Sequence, residues 1–412
     1  MELHPILDNN TILNSGLWYV FSALGESPSI RVGHTCTFIH GANEGDNGKL
    51  YVIGGANPSG PFCDTYVLDL NSLQWDVVDT PGFRARYEHA AFVPRSFPTN
   101  IYVFGGADQT GNMNDVQVLD TTTNSWSSLN VSGTPPSERT FHTSASIGDK
   151  FFVYSGGHCG PDPVGDRQVY CFDVTVSAWT KLAIKGDSPK PRHGHVMVAI
   201  GNRIFIHGGM SGPNFYGDLH ILNVENNTWH DVKKKKVFPS ARAGHSGVGV
   251  GNNMYIFGGM NRDGALDDLY KLDTITLTWT KIDLQGPPPA SRLDFGMCIL
   301  ELKRSPGTEE TSDIVNASNR VQDVLEREMA KPGSASSRGS HSETGAELSD
   351  TLREEQMTES GEDNSEPPED ATSSATQTSK ASQSLTYTLC VVHGGMDTEG
   401  EIFDDMLAII VD

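Results

Sequence analysis

Three marks recur along the chain at a spacing of about fifty residues, and a repeat of that length constrains the fold more than any other feature. The first is Arg-x-x-His, at Arg31/His34, Arg86/His89, Arg139/His142, Arg192/His195 and Arg242/His245; Arg292 makes a sixth, with Phe295 in the histidine place. The second is an apolar run ending in a glycine pair: Gly54-Gly55, Gly105-Gly106, Gly156-Gly157, Gly208-Gly209, Gly258-Gly259 and Gly394-Gly395. The third is a tryptophan series at Trp18, Trp75, Trp126, Trp179, Trp229 and Trp279. The step from Trp to the following Arg is 13 residues in five units and 11 in the sixth.

Each unit holds four short apolar segments rich in β-branched and aromatic residues and bounded by Gly, Asn or Pro. In the fifth they are Gly244–Val250, Met254–Phe257, Asp268–Leu272 and Thr278–Ile282. Four strands per unit, repeated six times, is the pattern of an all-β, six-bladed β-propeller. The first Trp strand, Leu17–Ala23, has no earlier strands of its own, and the last unit has no Trp. Arg292–Leu300, Leu389–Gly395, Met406–Val411 and Leu17–Ala23 therefore complete one another as the sixth blade. Closing the ring in this way removes free sheet edges.

The last unit is also interrupted. Arg to the first Gly spans 16–23 residues in five units and 102 in the sixth. Residues 301–384 hold no Trp, Tyr, Phe or Cys and carry 18 acidic against 8 basic residues. Such a composition cannot bury enough apolar surface to offset ordering entropy, so this insert is expected to be disordered. The expected organisation is 1–300 propeller, 301–384 acidic insert and 385–412 the end of the same propeller. Within the insert, Ile314–Met329 has rough helical spacing and is a candidate recruitment helix.

The net charge of −22 argues against nucleic-acid binding, which needs a basic surface. No run is long and apolar enough to span a bilayer, and neither a signal peptide nor a lipidation motif is expected. The six Cys are dispersed and read as free thiols of a cytosolic protein, expected to be a monomer. No nucleophile, P-loop or metal-ligand spacing appears, so no catalytic residue, metal or cofactor is expected. The histidines of this series, one in each of five units, are expected in core hydrogen bonds. Lys233–Lys236 reads as a solvated loop. Arg31, Arg86, Arg139, Arg192, Arg242 and Arg292 should circle one mouth of the channel. There they would either meet an anionic partner or pair with Asp64, Asp115, Asp166, Asp218, Asp268 and Asp405, one per unit, the second being the stronger expectation.

The glycine pairs, the Asp64–Asp69 and Asp115–Asp120 segments and the spaced Trp resemble kelch repeats, over residues 17–300 and 387–412. Further segments, "RVGHTC", "VIGGANPSG", "RYEHAAFVP", "PRHGHVMVA", "YIFGGM" and "GGMDTEGEIFDD", are similar to the kelch-type Rab effectors. That resemblance implies a scaffold that binds a GTP-bound Rab GTPase of late endosomes. It implies transport from endosomes to the trans-Golgi network, a phosphoinositide kinase as a further partner, and membrane association only through partners. Kelch proteins typically bind through the loops after the glycine pairs, which here offers Asn214, Phe215, Asn261 and Arg262 as partner-binding residues. A bare propeller that brings substrates to a ubiquitin ligase is the alternative.

Overall fold

The strand gradient across each repeat decides how the sheets stack. The second strands, such as Lys49–Ile53, Asn100–Phe104, Lys150–Tyr154 and Asn253–Phe257, are buried at four consecutive positions. Continuous burial means cover on both faces. The fourth strands, Gln74–Val77, Ser125–Ser128 and Thr278–Lys281, bury only the tryptophan. Sheets that are dry at the second strand and wet at the fourth pack face to face around an axis, with the fourth strand outermost.

The computed structural model describes residues 4–9, 11–78, 81–140, 144–159, 162–304 and 385–412. His142 and the stretch Ile314–Met329 lie outside them. The propeller unit comprises Met1–Ser305 with Ser384–Asp412. Among the described residues there is no helix, and so none long and apolar enough to cross a membrane. Six antiparallel sheets repeat the order first–second–third–fourth strand. The first strand of each blade packs against the first strands of both neighbours, so the ring is closed. Six hydrophobic clusters fill the six seams between blades.

The sixth blade is stitched as expected. Its order is Gly296–Arg304, Leu385–His393, Met406–Ile410 and Trp18–Phe21, with Ile6–Leu7 added in parallel outside. Trp18 pairs with Ile409 and Val20 with Leu407. The boundary at 301 needs correction. Glu301 to Arg304 continue the first strand of this blade, and Arg304 pairs with Leu385. The cause is Leu302, fully buried in the cluster between blades six and one.

A second correction concerns the third blade. Ser155-Gly156, and not Gly156-Gly157, stands where the other blades have their glycine pair. The amide of Gly156 donates to Arg192 O at 3.0 Å, as those of Gly55, Gly106, Gly209, Gly259 and Gly395 do to the arginine of the following blade. Ser155 takes φ of 55°, and its Oγ accepts the Arg192 amide at 2.8 Å. A side-chain acceptor offsets the cost of a left-handed backbone at a non-glycine residue.

The segments between Trp and Arg carry a device the periodicity did not announce. A glycine seven residues after the tryptophan recurs at Gly25, Gly82, Gly133, Gly186 and Gly286. Four of these straps lie against the tryptophan of the next blade. A Cβ on Gly133 would stand 2.1 Å from Trp179 O, and one on Gly25 2.6 Å from Trp75 O. The contact is too close for any side chain.

Candidate functional site

The six arginines define the inner architecture of one mouth. Each is fully buried. Each donates Nε to the carbonyl two residues back and Nη1 to the first carbonyl of its glycine pair, Ser155 in the third blade. Each then reaches the aspartate of its own blade. Arg31–Asp64, Arg86–Asp115, Arg192–Asp218, Arg242–Asp268 and Arg292–Asp405 are bidentate, with closest contacts of 2.7, 2.8, 2.6, 2.5 and 2.5 Å. Arg139–Asp166 is single and longer at 3.2 Å. Aromatic rings cover several guanidinium faces, Phe62 over Arg31 and Tyr216 over Arg192, both at 4.4 Å. A fork of fixed donors that ties the start of one strand to the end of the next is a structural clamp. With no exposed surface, these groups do not reach out to a partner.

What the mouth presents lies two residues further on. Gly33, Glu88, Gly194, Gly244 and Asp294 all have positive φ. Their backbones join around the axis: Gly33 N to Asp294 O, Glu88 N to Gly33 O, Gly244 N to Gly194 O and Asp294 N to Gly244 O, at 2.6–2.9 Å. Where this belt holds Glu88 and Asp294, the chain keeps acids in a conformation that favours glycine, at a cost of about 1–3 kcal/mol each. Both line a channel cavity of about 220 Å³, with His34, His89, His195 and His245. Glu88 accepts a hydrogen bond from the Thr140 hydroxyl. The Asp294 carboxylate has no partner among the described residues, and burial pushes its pKa up to about 7. The sequence signal was present: the position two after each Arg is Gly in three units and acidic in two.

A pH dependence follows. Unfolded, Asp294 ionises near 3.8; folded, near 7. Between those values the native state binds the extra proton, so this contribution to stability is present below pH 4 and is lost as pH rises through 7. Asp294→Asn should therefore stabilise the protein at pH 8 and leave it little changed at pH 4. The difference should be about 1–2 kcal/mol, after discounting for the part of Asp294 that faces the channel. Urea titrations at the two pH values check it; an equal effect at both would show that ionisation is not the cause.

Around the belt stand short hairpins that follow the glycine pairs. They include Ala56–Asn57 with Gly60–Pro61, Ala107–Asp108 with Gly111–Asn112, Met210–Ser211 with Asn214–Phe215, and Met260–Asn261 with Gly264–Ala265. Bridges such as Val32 to Ala56 and Ala243 to Met260 place them beside the residue after each Arg. Asn214 and Arg262 are exposed, while Phe215 and Asn261 are half-buried. Asn261 is occupied in its own turn, its Oδ1 accepting the Asp263 amide at 2.7 Å. Arg262 reaches Pro213 O of the neighbouring hairpin at 3.5 Å. Beside the fifth-blade hairpin the sixth-blade loop is anionic, Asp397 Oδ1 accepting the amides of Glu399, Gly400 and Glu401.

The remaining readings fall as follows. Cys36, Cys63, Cys171, Cys298 and Cys390 are free thiols. The tryptophans are packing anchors, each in the seam toward the preceding blade; Trp18 meets Phe257 at 5.2 Å, Trp179 meets Phe104 at 4.8 Å and Trp279 meets His207 at 5.4 Å. The histidines sit in the same seams. His245 hydrogen-bonds His207 at 3.1 Å, and His34 bonds His393 at 2.9 Å. Burial holds all four rings neutral, pulling His207 and His393 down to about 3. Of Lys233–Lys236, Lys235 donates to Thr276 O at 2.7 Å.

Comparison with known proteins agrees with this architecture. Residues 33–259 and 155–304 match the family described as the KLHDC2/KLHL20/DRC7 Kelch-repeats domain. A mouse protein named Rab9 effector protein with kelch motifs is 39% identical over 416 residues, covering 100% of this chain and 98% of its own length. Its rat counterpart is 38% identical over the whole of both chains. A bovine protein of the same name is 45% identical over 220 residues, 53% of this chain and 59% of that protein. The stronger local match thus spans about three-fifths of the bovine relative. Propeller topology, arginine clamp and family match together establish that the chain belongs to the kelch-repeat family.

Proposed function

We propose that this chain is a non-catalytic interaction scaffold and an effector of a GTP-bound Rab GTPase, acting in transport from endosomes to the trans-Golgi network. The observation that carries the reading is the 39% identity to the mouse Rab9 effector protein along the full chain, including both stretches that build the sixth blade. Hairpin tips around one mouth suit a protein partner, since a ring of short loops makes a broad surface. The GTPase engages that mouth, and the protein reaches membranes through it. A phosphoinositide kinase is a second partner. Residues 306–383 are dispensable for the GTPase contact, because Arg304 and Leu385 already lie side by side in the ladder and a short turn can join them.

Pulldown against a panel of Rab GTPases, each loaded with GDP or a GTP analogue, tests the reading. Retention of one Rab in its GTP form only is expected; retention that ignores the nucleotide would defeat it. Asn214→Asp with Arg262→Glu, placed on two adjacent tips, should weaken that retention at least tenfold, about 1.4 kcal/mol. Replacing 306–383 by a short turn should leave it intact. If the double variant binds as the parent does, the GTPase docks elsewhere.

A further inference from the structure

Among the described residues one group of side chains has the composition of a metal site: His34, Cys36 and His393. Their donor atoms all lie within 4.8 Å of one another. His34 and Cys36 come from the entrance and first strand of blade one, and His393 from the end of the second strand of blade six. His393 stands outside the one-per-repeat histidine series, so the sequence pattern did not bring it to the others. We propose that these three side chains bind a soft or borderline metal ion, Zn²⁺ or Cu⁺, which ties the sixth blade to the first.

The donor set selects the ion class. Two neutral imidazoles and one thiolate suit Zn²⁺ and Cu⁺ and suit Mg²⁺ or Ca²⁺ poorly. Tetrahedral zinc with these ligands needs donor separations of about 3.3–3.6 Å, from Zn–N near 2.0–2.1 Å and Zn–S near 2.3 Å. His34 Nε2 and His393 Nδ1 are 2.9 Å apart and all three donors lie within 4.8 Å, so binding parts the two rings slightly and draws in Cys36 Sγ by about 1 Å at most. Space for the ion is kept by Gly296: a Cβ there would stand 2.4 Å from Cys36 Sγ and 2.9 Å from His34 Nε2. Access is provided by the channel, since His34, Cys36 and Gly296 all line the cavity of about 220 Å³. Cys36 gives up its thiol proton to solvent when the metal–sulfur bond forms, and the ring that donates in the His34–His393 hydrogen bond shifts its proton to its other nitrogen, so that both imidazoles bind the ion neutral.

The propeller contains its own controls. His207 and His245 form the same edge-on pair in the seam between blades four and five. There the residue two after His245 is Gly247, so that pair has nitrogen donors and no thiol. In the seam between blades five and six the pair is Phe257 with Phe295, at 5.6 Å. A phenylalanine therefore fits the histidine position without loss of the fold.

The experiment uses the full chain carrying Cys63→Ser, which removes the exposed thiol among the described residues, stripped with a chelator and dialysed. Co²⁺ titration should give a thiolate-to-metal charge-transfer band in the near ultraviolet saturating at one equivalent. Zn²⁺ should then bleach it and raise the melting temperature. Cys36→Ser should abolish the band, His393→Phe should weaken binding at least tenfold and cancel the thermal shift, and His207→Phe should change neither. Absence of the band in the parent, or binding that survives both Cys36→Ser and His393→Phe, overturns the proposal.

Discussion

Asp268→Ala should destabilise the propeller by about 3–5 kcal/mol, because it strands a buried charge. Arg242 is fully buried, and Asp268 is the least exposed of the six clamp aspartates, with 15% of its side chain accessible. Its two oxygens receive Nη1 and Nη2 at 2.5 and 3.1 Å. The other acceptors around the guanidinium, Gly258 O, Ser240 O and Ser240 Oγ, are neutral. Removing the carboxylate leaves a full positive charge among dipoles, a far costlier change than losing one hydrogen bond. Urea denaturation measures it, and the melting temperature should fall by about 10 °C. Asp115→Ala offers the contrast. That side chain is 40% exposed, so water can replace part of what the carboxylate supplied and the loss should be smaller. Arg242→Met with Asp268→Leu should recover much of the deficit by removing both charges at once. A loss below about 1 kcal/mol for Asp268→Ala would mean that the clamp is not what holds the strands.

Deleting residues 1–25 should abolish the folded state at 37 °C. Residues 18–21 form the outer strand of the sixth blade, and their alternation serves two seams at once. Trp18 fills the seam toward blade five, against Phe257, Leu269 and Ile409. Tyr19 and Phe21, with Leu7 and Leu13, enter the seam toward blade one, beside Leu68, Leu70 and Trp75. Five large side chains at about 1.5–3 kcal/mol each amount to roughly 10 kcal/mol, comparable with the total stability of an ordinary domain. The deletion also bares Met406–Ile410 as an unpaired edge, a template for aggregation. Yield in the soluble fraction and calorimetry of the truncated chain measure the effect. Trp18→Ala alone should cost about 3–5 kcal/mol, which keeps the argument testable if the truncation yields no protein. A truncated chain that melts no earlier than the parent would refute the closure.

The fold and its closure were legible because every repeat states them again. A Trp, an Arg and a glycine pair recurring in six units leave one arrangement in which each buried face finds a partner, and the Trp strand without predecessors had only the last blade to join. The clamp was legible for the same reason: an Arg and an Asp in every unit point to a role every unit needs. The candidate site was less so. The belt acids were visible only as departures, Glu88 and Asp294 in a place where glycine is the commoner choice. Ser155 was hidden by the adjacent Gly156-Gly157, which mimics the pair one residue out of register. Leu302 was lost in a polar neighbourhood whose composition outweighed one apolar side chain.

By itself, then, the sequence determined the blade count and the closure and favoured the Arg–Asp pairing, since those depend on local pattern multiplied by six. Only the tertiary structure decided what stands across a seam. His34 meets His393, 359 positions away, in the same seam contact that His207 makes with His245 only 38 positions on; ring closure carries it from the last blade to the first. The same closure turns Glu88 and Asp294, acids from separate blades, into neighbours of one channel, where burial pushes the Asp294 carboxyl up to about 7.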